Sequence, residues 1–245
     1  QIQQNQVAAQ FTTRTLGLRR VAALHDTTDY GRGHFRYYSE NLRKLGGEIV
    51  GVFPVNPQQE DFTAELTRAK ALNPEVIWFG GLTPVGVRIR NQMARLGINA
   101  VFQGTSGILN EEFNQALGAE LAEGAIGFLD GLPVEKLPGG RQFLQAYQAA
   151  GFREPPEAYG PFAYVAADLF VRAIEAVGPN RAAVIDYLNS RIRNVDTIIG
   201  PVNFDEYGQN DVPLVTPYVS QGGRWVPWSE SDYAAGRKVL PGLKR

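Results

Sequence analysis

The sequence predicts a doubly wound α/β protein built on a parallel sheet, and three observations carry that prediction. Short apolar runs rich in β-branched residues recur between Leu18 and Gly131, stretches of helical periodicity separate them, and the runs end in loops of Gly, Thr, Ser and Asp. Strands alternating with helices of this length imply βαβ units, whose right-handed crossovers set helices on both faces of the sheet.

In chain order, strands are expected at "LRRVAAL", "EIVGVFPV", "PEVIWFGG", "NAVFQG" and "GAIGFLDG". Between them, "EDFTAELTRAKAL" sets Phe62, Leu66, Ala69 and Leu72 on one helical face. "PVGVRIRNQMARLG" does the same with Val85, Ile89, Met93 and Leu96, and Gly97 follows where a C-cap belongs. Residues 18–131 are thus expected as one α/β lobe. Ahead of them, "QIQQNQVAAQFTTRTLG" reads as a polar amphipathic helix.

After the Pro/Gly-rich "GLPVEKLPGG" the pattern turns helical, with "RQFLQAYQAAGF", "PFAYVAADLFVRAIEAVG" and "NRAAVIDYLNSRI". The face formed by Phe162, Val165, Leu169, Ala173 and Val177 calls for a partner that this region does not itself supply as strands. The chain closes with strand-like "TIIGPVNFD" and "PLVTPYVSQGGRWVPW", joined by the turn-rich "EYGQNDV", and "QGGRW" reads as a hairpin turn.

Composition excludes several function classes. The 245 residues are 44% hydrophobic and 20% charged with a formal net charge of −1, an ordinary globular balance that offers no basic surface to nucleic acid. Pairs such as Arg19–Arg20 and Lys244–Arg245 read as solvated faces. Without cysteine there is no thiol nucleophile, disulfide or Cys-based zinc site. No apolar stretch is long enough for a transmembrane helix, and residues 1–17 carry no signal-peptide pattern.

Enzyme signatures are also missing. "GRGHFR" lacks the third glycine of a dinucleotide fingerprint, and no phosphate-binding GxxxxGK[ST] occurs. "GTSG" lacks the spacing of a nucleophile elbow, and no histidine follows it. His25 and His34, the only two histidines, have no metal-ligand spacing and read as structural. "DEYGQND" reads as a turn rather than a calcium loop. No cofactor and no metal is expected, and a non-catalytic small-solute binder leads.

In open α/β sheets ligands bind outside the carboxyl ends of the strands. That rule selects "DTTDYGRG" (26–33), "NPQQED" (56–61), "GGLTP" (80–84), "GTSG" (104–107) and "DGLP" (130–133). Thr28, Tyr30, Thr83, Thr105 and Ser106 are therefore candidates for holding a small polar or carboxylate-bearing solute. Each hydroxyl can equally serve as a helix cap or turn fastener.

The run from "RRVAALHDTTDYGRG" to "NPEVIWFGG" resembles the branched-chain amino acid (Leu/Ile/Val) binding proteins of ABC transporters, which are type I periplasmic binding proteins. The likeness continues through "RNQMARLGINAVFQGTSG", "AEGAIGFLDG", "YGPFAYVAADLFVRAIEAVG" and "IIGPVNFDEYGQN". It implies two α/β lobes that close on a solute like a hinged trap. Residues 18–131 would be the second lobe, 132–217 a return to the first, and 218–245 a last strand and tail with the second. The helix 1–17 would belong to the first lobe, which is incomplete here, its opening strands expected before residue 1.

The resemblance also implies roles. Tyr30 matches a ligand-contacting tyrosine, and Tyr159 falls where an aromatic lines the pocket. Leu82 and Thr83 occupy a loop where amino-acid binders carry aromatics. Ser106 stands where they place an acid for the α-ammonium group, so an aromatic or aliphatic carboxylate or an amide is an alternative ligand. Asp26, Asp29 and Asp130 are the nearby acids. The implied protein is a monomeric, periplasmic or extracytoplasmic solute binder serving a membrane ABC permease. A ligand-sensing regulatory domain of the same fold is the rival reading, and an enzyme on a flavodoxin-like scaffold stands behind both.

Overall fold

The computed structural model describes residues 1–154, 156, 159–210 and 215–243. It divides into two compact units, one of Gln1–Asp130 with Val215–Arg245 and the other Gly131–Leu214.

The first unit is a seven-stranded sheet. Five parallel strands, β1 (Arg20–Asp26), β2 (Glu48–Val55), β3 (Val76–Gly80), β4 (Val101–Gly104) and β5 (Ile126–Asp130), fall where the apolar runs place them. Two antiparallel strands, β8 (Val215–Gln221) and β9 (Arg224–Pro227), extend the sheet beyond β5, giving the order β2-β1-β3-β4-β5-β8-β9. The crossover helices are α2 (Asp29–Lys44), α3 (Thr63–Ala71), α4 (Thr83–Arg95) and α5 (Glu111–Ala122).

Burial on both faces explains why the strands read as unbroken apolar runs. Every residue of β3 is buried, and successive side chains alternate between two cores. Ile77 and Phe79 join Leu24, Ile89, Met93, Phe102 and Phe113 on one face. Val76 and Trp78 join Val21, Tyr38, Leu42, Val101 and Phe128 on the other. Trp78 stacks on Tyr38 with ring centroids 4.7 Å apart. Both edge strands carry a proline, Pro54 and Pro227, which blunts pairing with another chain. The "QGGRW" turn joins β8 to β9 through Gly222 and Gly223 at φ +61° and +78°, the paired positive φ values of a tight hairpin.

One expectation is corrected. The helix of residues 1–17 does not group with residues 131–214. Helix α1 (Ile2–Gln10), which continues as a π-helical turn at Phe11–Thr15, buries Ala8, Ala9 and Phe11 in the same core as Trp78 and Phe128. Phe11 meets the edge of the Phe128 ring at 5.7 Å. An amphipathic pattern reveals that a helix has a buried face, but not which surface covers it.

The second unit holds α6 (Gly140–Ala149), α7 (Gly160–Val177), α8 (Arg181–Arg191) and the two-stranded β6 (Val195–Thr197) and β7 (Gly200–Val202). The apolar face of α7 does find partners: Val165 and Leu169 pack with Ile192 and Val202. Val177 and the neighbouring Phe170, Val171 and Ile174 remain exposed. The turn after "NFD" closes with the Asp205 carboxylate accepting from the Tyr207 and Gln209 amides, 2.9 Å each, as expected of a turn. Residues 211–214 of the joining run, Ala158 of "AYGPF" and the Lys244–Arg245 pair lie outside the described residues. Among the described residues no helix is long and apolar enough to cross a membrane.

Candidate functional site

The site is built where β1, β3 and β4 end. Asp26 closes β1 almost fully buried, and its Oδ1 accepts a bond from the Thr28 amide at 3.1 Å and a short one from the Thr28 hydroxyl. Thr28 also caps α2, accepting from the Gly31 amide at 3.2 Å. Gly31 admits no side chain, since a Cβ there would lie 2.3 Å from Asp26 Oδ1 and 2.7 Å from the Gly80 carbonyl. The "DYGRG" spacing therefore drives the start of α2 against the end of β3, and Tyr30 projects from that first turn.

Tyr30 reaches the loop after β4. Its hydroxyl lies 3.1 Å from Thr105 Oγ1 and 3.4 Å from Ser106 Oγ. Thr105 spends its only hydroxyl proton on the Gly81 carbonyl, 3.3 Å away, so Tyr30 donates to Thr105. Thr83 donates to the Gly107 carbonyl at 3.0 Å and accepts from Asn110 Nδ2 at 2.8 Å. A Cβ on Gly107 would come within 2.4 Å of the Gly81 carbonyl and 3.0 Å of the Tyr30 hydroxyl. The three loops are interlocked by hydrogen bonds and by the absence of side chains.

This bookkeeping sorts the sequence candidates. Thr28, Thr83 and Thr105 are occupied as a cap and as loop fasteners. The Tyr30 ring, Ser106 and Leu82 stay available: among the described residues the Ser106 hydroxyl has only its 3.4 Å contact to Tyr30, and Leu82 is 54% exposed at the N-terminus of α4. Tyr159 sits on the other unit, where α7 begins, about half exposed. Of the nearby acids, Asp29 is fully exposed and pairs with Arg32 at 2.8 Å.

Both histidines are buried. His25 stacks on Phe35 at 5.0 Å. His34 is buried under the Tyr30 ring at 4.4 Å, and its Nδ1 accepts from Asn5 Nδ2 at 2.9 Å. Burial lowers its pKa to about 3, so it is neutral. Among the described residues no group of His, Cys, Asp and Glu could hold a metal ion. A hollow of about 390 Å³ beside Tyr164 in the helical unit contains none of the sequence candidates, and its Arg172 and Asp168 pair with each other at 2.8 Å.

Sequence reasoning missed Gln4. This α1 residue is 1% exposed, accepts from the Ser106 amide at 3.2 Å and donates to Asp130 Oδ2 at 2.8 Å. The separations, 102 and 126 residues, leave no local signal that could have joined them.

Comparison with known proteins identifies the family. The sequence pattern of the periplasmic binding protein family matches residues 1–224. A Leu/Ile/Val-binding protein homologue of Brucella melitensis is 30% identical over 213 residues, which are 86% of this chain and 56% of that protein. An amino acid binding protein of Pseudomonas aeruginosa is 28% identical over 84% of this chain and 54% of its own length. A leucine binding protein from Thermotoga maritima superposes with a TM-score of 0.81 at 25% identity, covering 91% of this chain and 63% of that one. The chain thus spans about half the length of the curated relatives it matches. These relatives are named as binding proteins. With the family's pattern running through 224 of its residues and the parallel sheet in place, the chain belongs to the type I periplasmic binding proteins.

Proposed function

We propose that the chain is the solute-capturing component of an ABC importer, a monomer working outside the cytoplasm that delivers its cargo to a membrane permease. The cargo is a small carboxylate or amino-acid-like solute. The observation that carries this reading is the convergence of three interlocked loops on Tyr30 and Ser106 at the carboxyl ends of β1, β3 and β4. The Ser106 hydroxyl and the Tyr30 oxygen orient a polar head, while the Tyr30 ring and the exposed Leu82 supply an apolar wall. The names of the relatives, Leu/Ile/Val-binding and leucine binding, support a solute of this size. Tyr159 is retained as a separate aromatic candidate.

The test is a thermal-shift and calorimetric screen of amino acids and of matched carboxylates. A solute at a hundred times its dissociation constant stabilises the fold by about 2.7 kcal/mol. Tyr30→Ala is expected to weaken the responding solute at least tenfold, roughly the loss of one buried aromatic anchor. Undiminished affinity in that variant removes Tyr30 from the site.

A further inference from the structure

The first turn of α1 is hydrogen-bonded to both halves of the candidate solute site and to the end of β5. Gln4 accepts from the Ser106 backbone N–H at 3.2 Å and donates to Asp130 Oδ2 at 2.8 Å. Its neighbour Asn5 donates to His34 Nδ1 at 2.9 Å, and the His34 ring lies 4.4 Å from that of Tyr30. Both side chains are 1% exposed. Two consecutive buried amides thus meet the elements that carry Ser106 and Tyr30. An amide held at both ends and closed to water has no other partner to turn to, so moving one end drags the other or leaves a buried polar group unpaired.

The far end of the Gln4 amide falls at a special place in the chain. Asp130 is the last residue of the first unit before Gly131 opens the second, and the chain re-enters the first unit at Val215. Asp130 and Val215 are partners in the β5–β8 ladder, so both passages of the chain leave from one rung of the sheet. Among the described residues Gln4 is the only hydrogen-bond donor to the Asp130 side chain. Burial raises the pKa of that carboxyl, while the Gln4 bond and the positive amino terminus pull it down. Gly131 takes φ +127°, a value that favours glycine, and a Cβ there would lie 2.3 Å from Phe162 Cζ. The backbone just after Asp130 is therefore packed on a ring in the first turn of α7. A continuous set of contacts runs from Ser106 through Gln4 and Asp130 to Gly131 and Phe162.

We propose that Gln4 is a positioning residue that couples solute occupancy at Ser106 to the passage of the chain into the second unit at Asp130–Gly131. This rests on the reading of the strand-end loops as the solute site. A solute that draws on the Ser106 loop shifts the N–H that Gln4 accepts, and the other end of the same amide carries the Asp130 carboxylate. Asp130 acts here as a hydrogen-bond acceptor, and its charge is not required. Ala8, Ala9 and Phe11 hold α1 in the sheet core, so the Gln4 backbone is a fixed pivot for that exchange. A coupling of this kind is reciprocal: what loosens the passage at Asp130 also weakens solute binding.

The experiment is hydrogen exchange read by mass spectrometry on the full chain, alone and with L-leucine, 4-methylpentanoate or 3-phenylpropanoate at a concentration that saturates each variant. Segment 104–110 reports the solute loop, and segments 131–137 and 160–166 report the passage and the start of α7. Expected in the wild type is slower exchange in both regions with the solute that binds, by at least about fivefold at 131–137, the low end of coupling between two sites. Asp130→Ala removes the acceptor and leaves Gln4 on Ser106: the solute still protects 104–110, and the response at 131–137 is lost. Asp130→Asn keeps an acceptor for the Gln4 amide and restores the response. Gln4→Met removes both hydrogen bonds and loses the remote response as well. A purely structural role would speed exchange equally with and without solute and leave the response in place. A remote response that is absent from the wild type, that survives either Asp130→Ala or Gln4→Met, or that Asp130→Asn fails to restore overturns the coupling and leaves the solute site standing. A wild type in which none of the three solutes protects 104–110 overturns the proposed function, and the coupling falls with it.

Discussion

In the sheet unit, Trp78, Phe79, Phe113 and Phe128 are closed to solvent between strands and helices. In the helical unit the buried cluster is Val165, Leu169, Ile192 and Val202, while Phe170, Val171 and Ile174 on α7 stay about half exposed. The first unit satisfies its apolar surface from its own residues on both faces of a sheet; the second buries one side of α7 and single apolar side chains of its other helices, Phe143 on α6 and Val184 on α8. The difference teaches where positional precision can be stored. Loops that end buried strands inherit the rigidity of the layer beneath them, and the candidate site lies on such loops.

The largest expected effect on this comparison comes from its strongest element. Phe79→Ala removes a ring from the middle of β3 and is expected to cost about 3–5 kcal/mol in a urea titration. Ile174→Ala, at 44% exposure in the helical unit, is the counterpart and should fall within about 0.5 kcal/mol of wild type. Equal losses for the two variants break the comparison.

His34 sharpens it through pH. The folded chain holds this imidazole neutral down to about 3, whereas the unfolded chain protonates it near 6.5. Between those values the unfolded state binds the extra proton, so stability falls as pH falls, by at most about 1.4 kcal/mol per pH unit from this group. Above the unfolded value both states are neutral and the contribution is flat. His34→Gln keeps an acceptor for Asn5 and should flatten the acid limb of stability measured by urea midpoint from pH 7 to 4. An unchanged limb means that His34 is not the group responsible.

Much of the fold was legible because burial on both faces leaves a simple trace. An all-apolar "VIWFG" is a fully covered strand, and Val85, Ile89 and Met93 at helical spacing are a covered face. The place of Tyr30 was legible because position follows from topology: the loop after a strand of a parallel sheet lies at the ligand edge, and Tyr30 stands in the first turn of the helix that follows β1. The fate of the hydroxyls was not. Whether Thr83 and Thr105 bind a solute or fasten loops depends on carbonyls at Gly107 and Gly81, 24 residues away in each case. Helix 1–17 was misassigned for the same kind of reason. Ala8, Ala9 and Phe11 announce a buried face, but the choice of Trp78 and Phe128 as its cover is made in three dimensions. Gln4 was hidden along with it.

The central claim is that a small solute seats on the loops ending β1, β3 and β4. Its most direct test is a backbone NMR titration of the isotope-labelled chain with L-leucine and, in parallel, 4-methylpentanoate. The account predicts saturable amide shifts centred on Tyr30, Gly31, Ser106 and Gly107 and reaching Asp130, with α3 silent. Saturable shifts centred on α3, or on the hollow beside Tyr164, with these loops unmoved, contradict it.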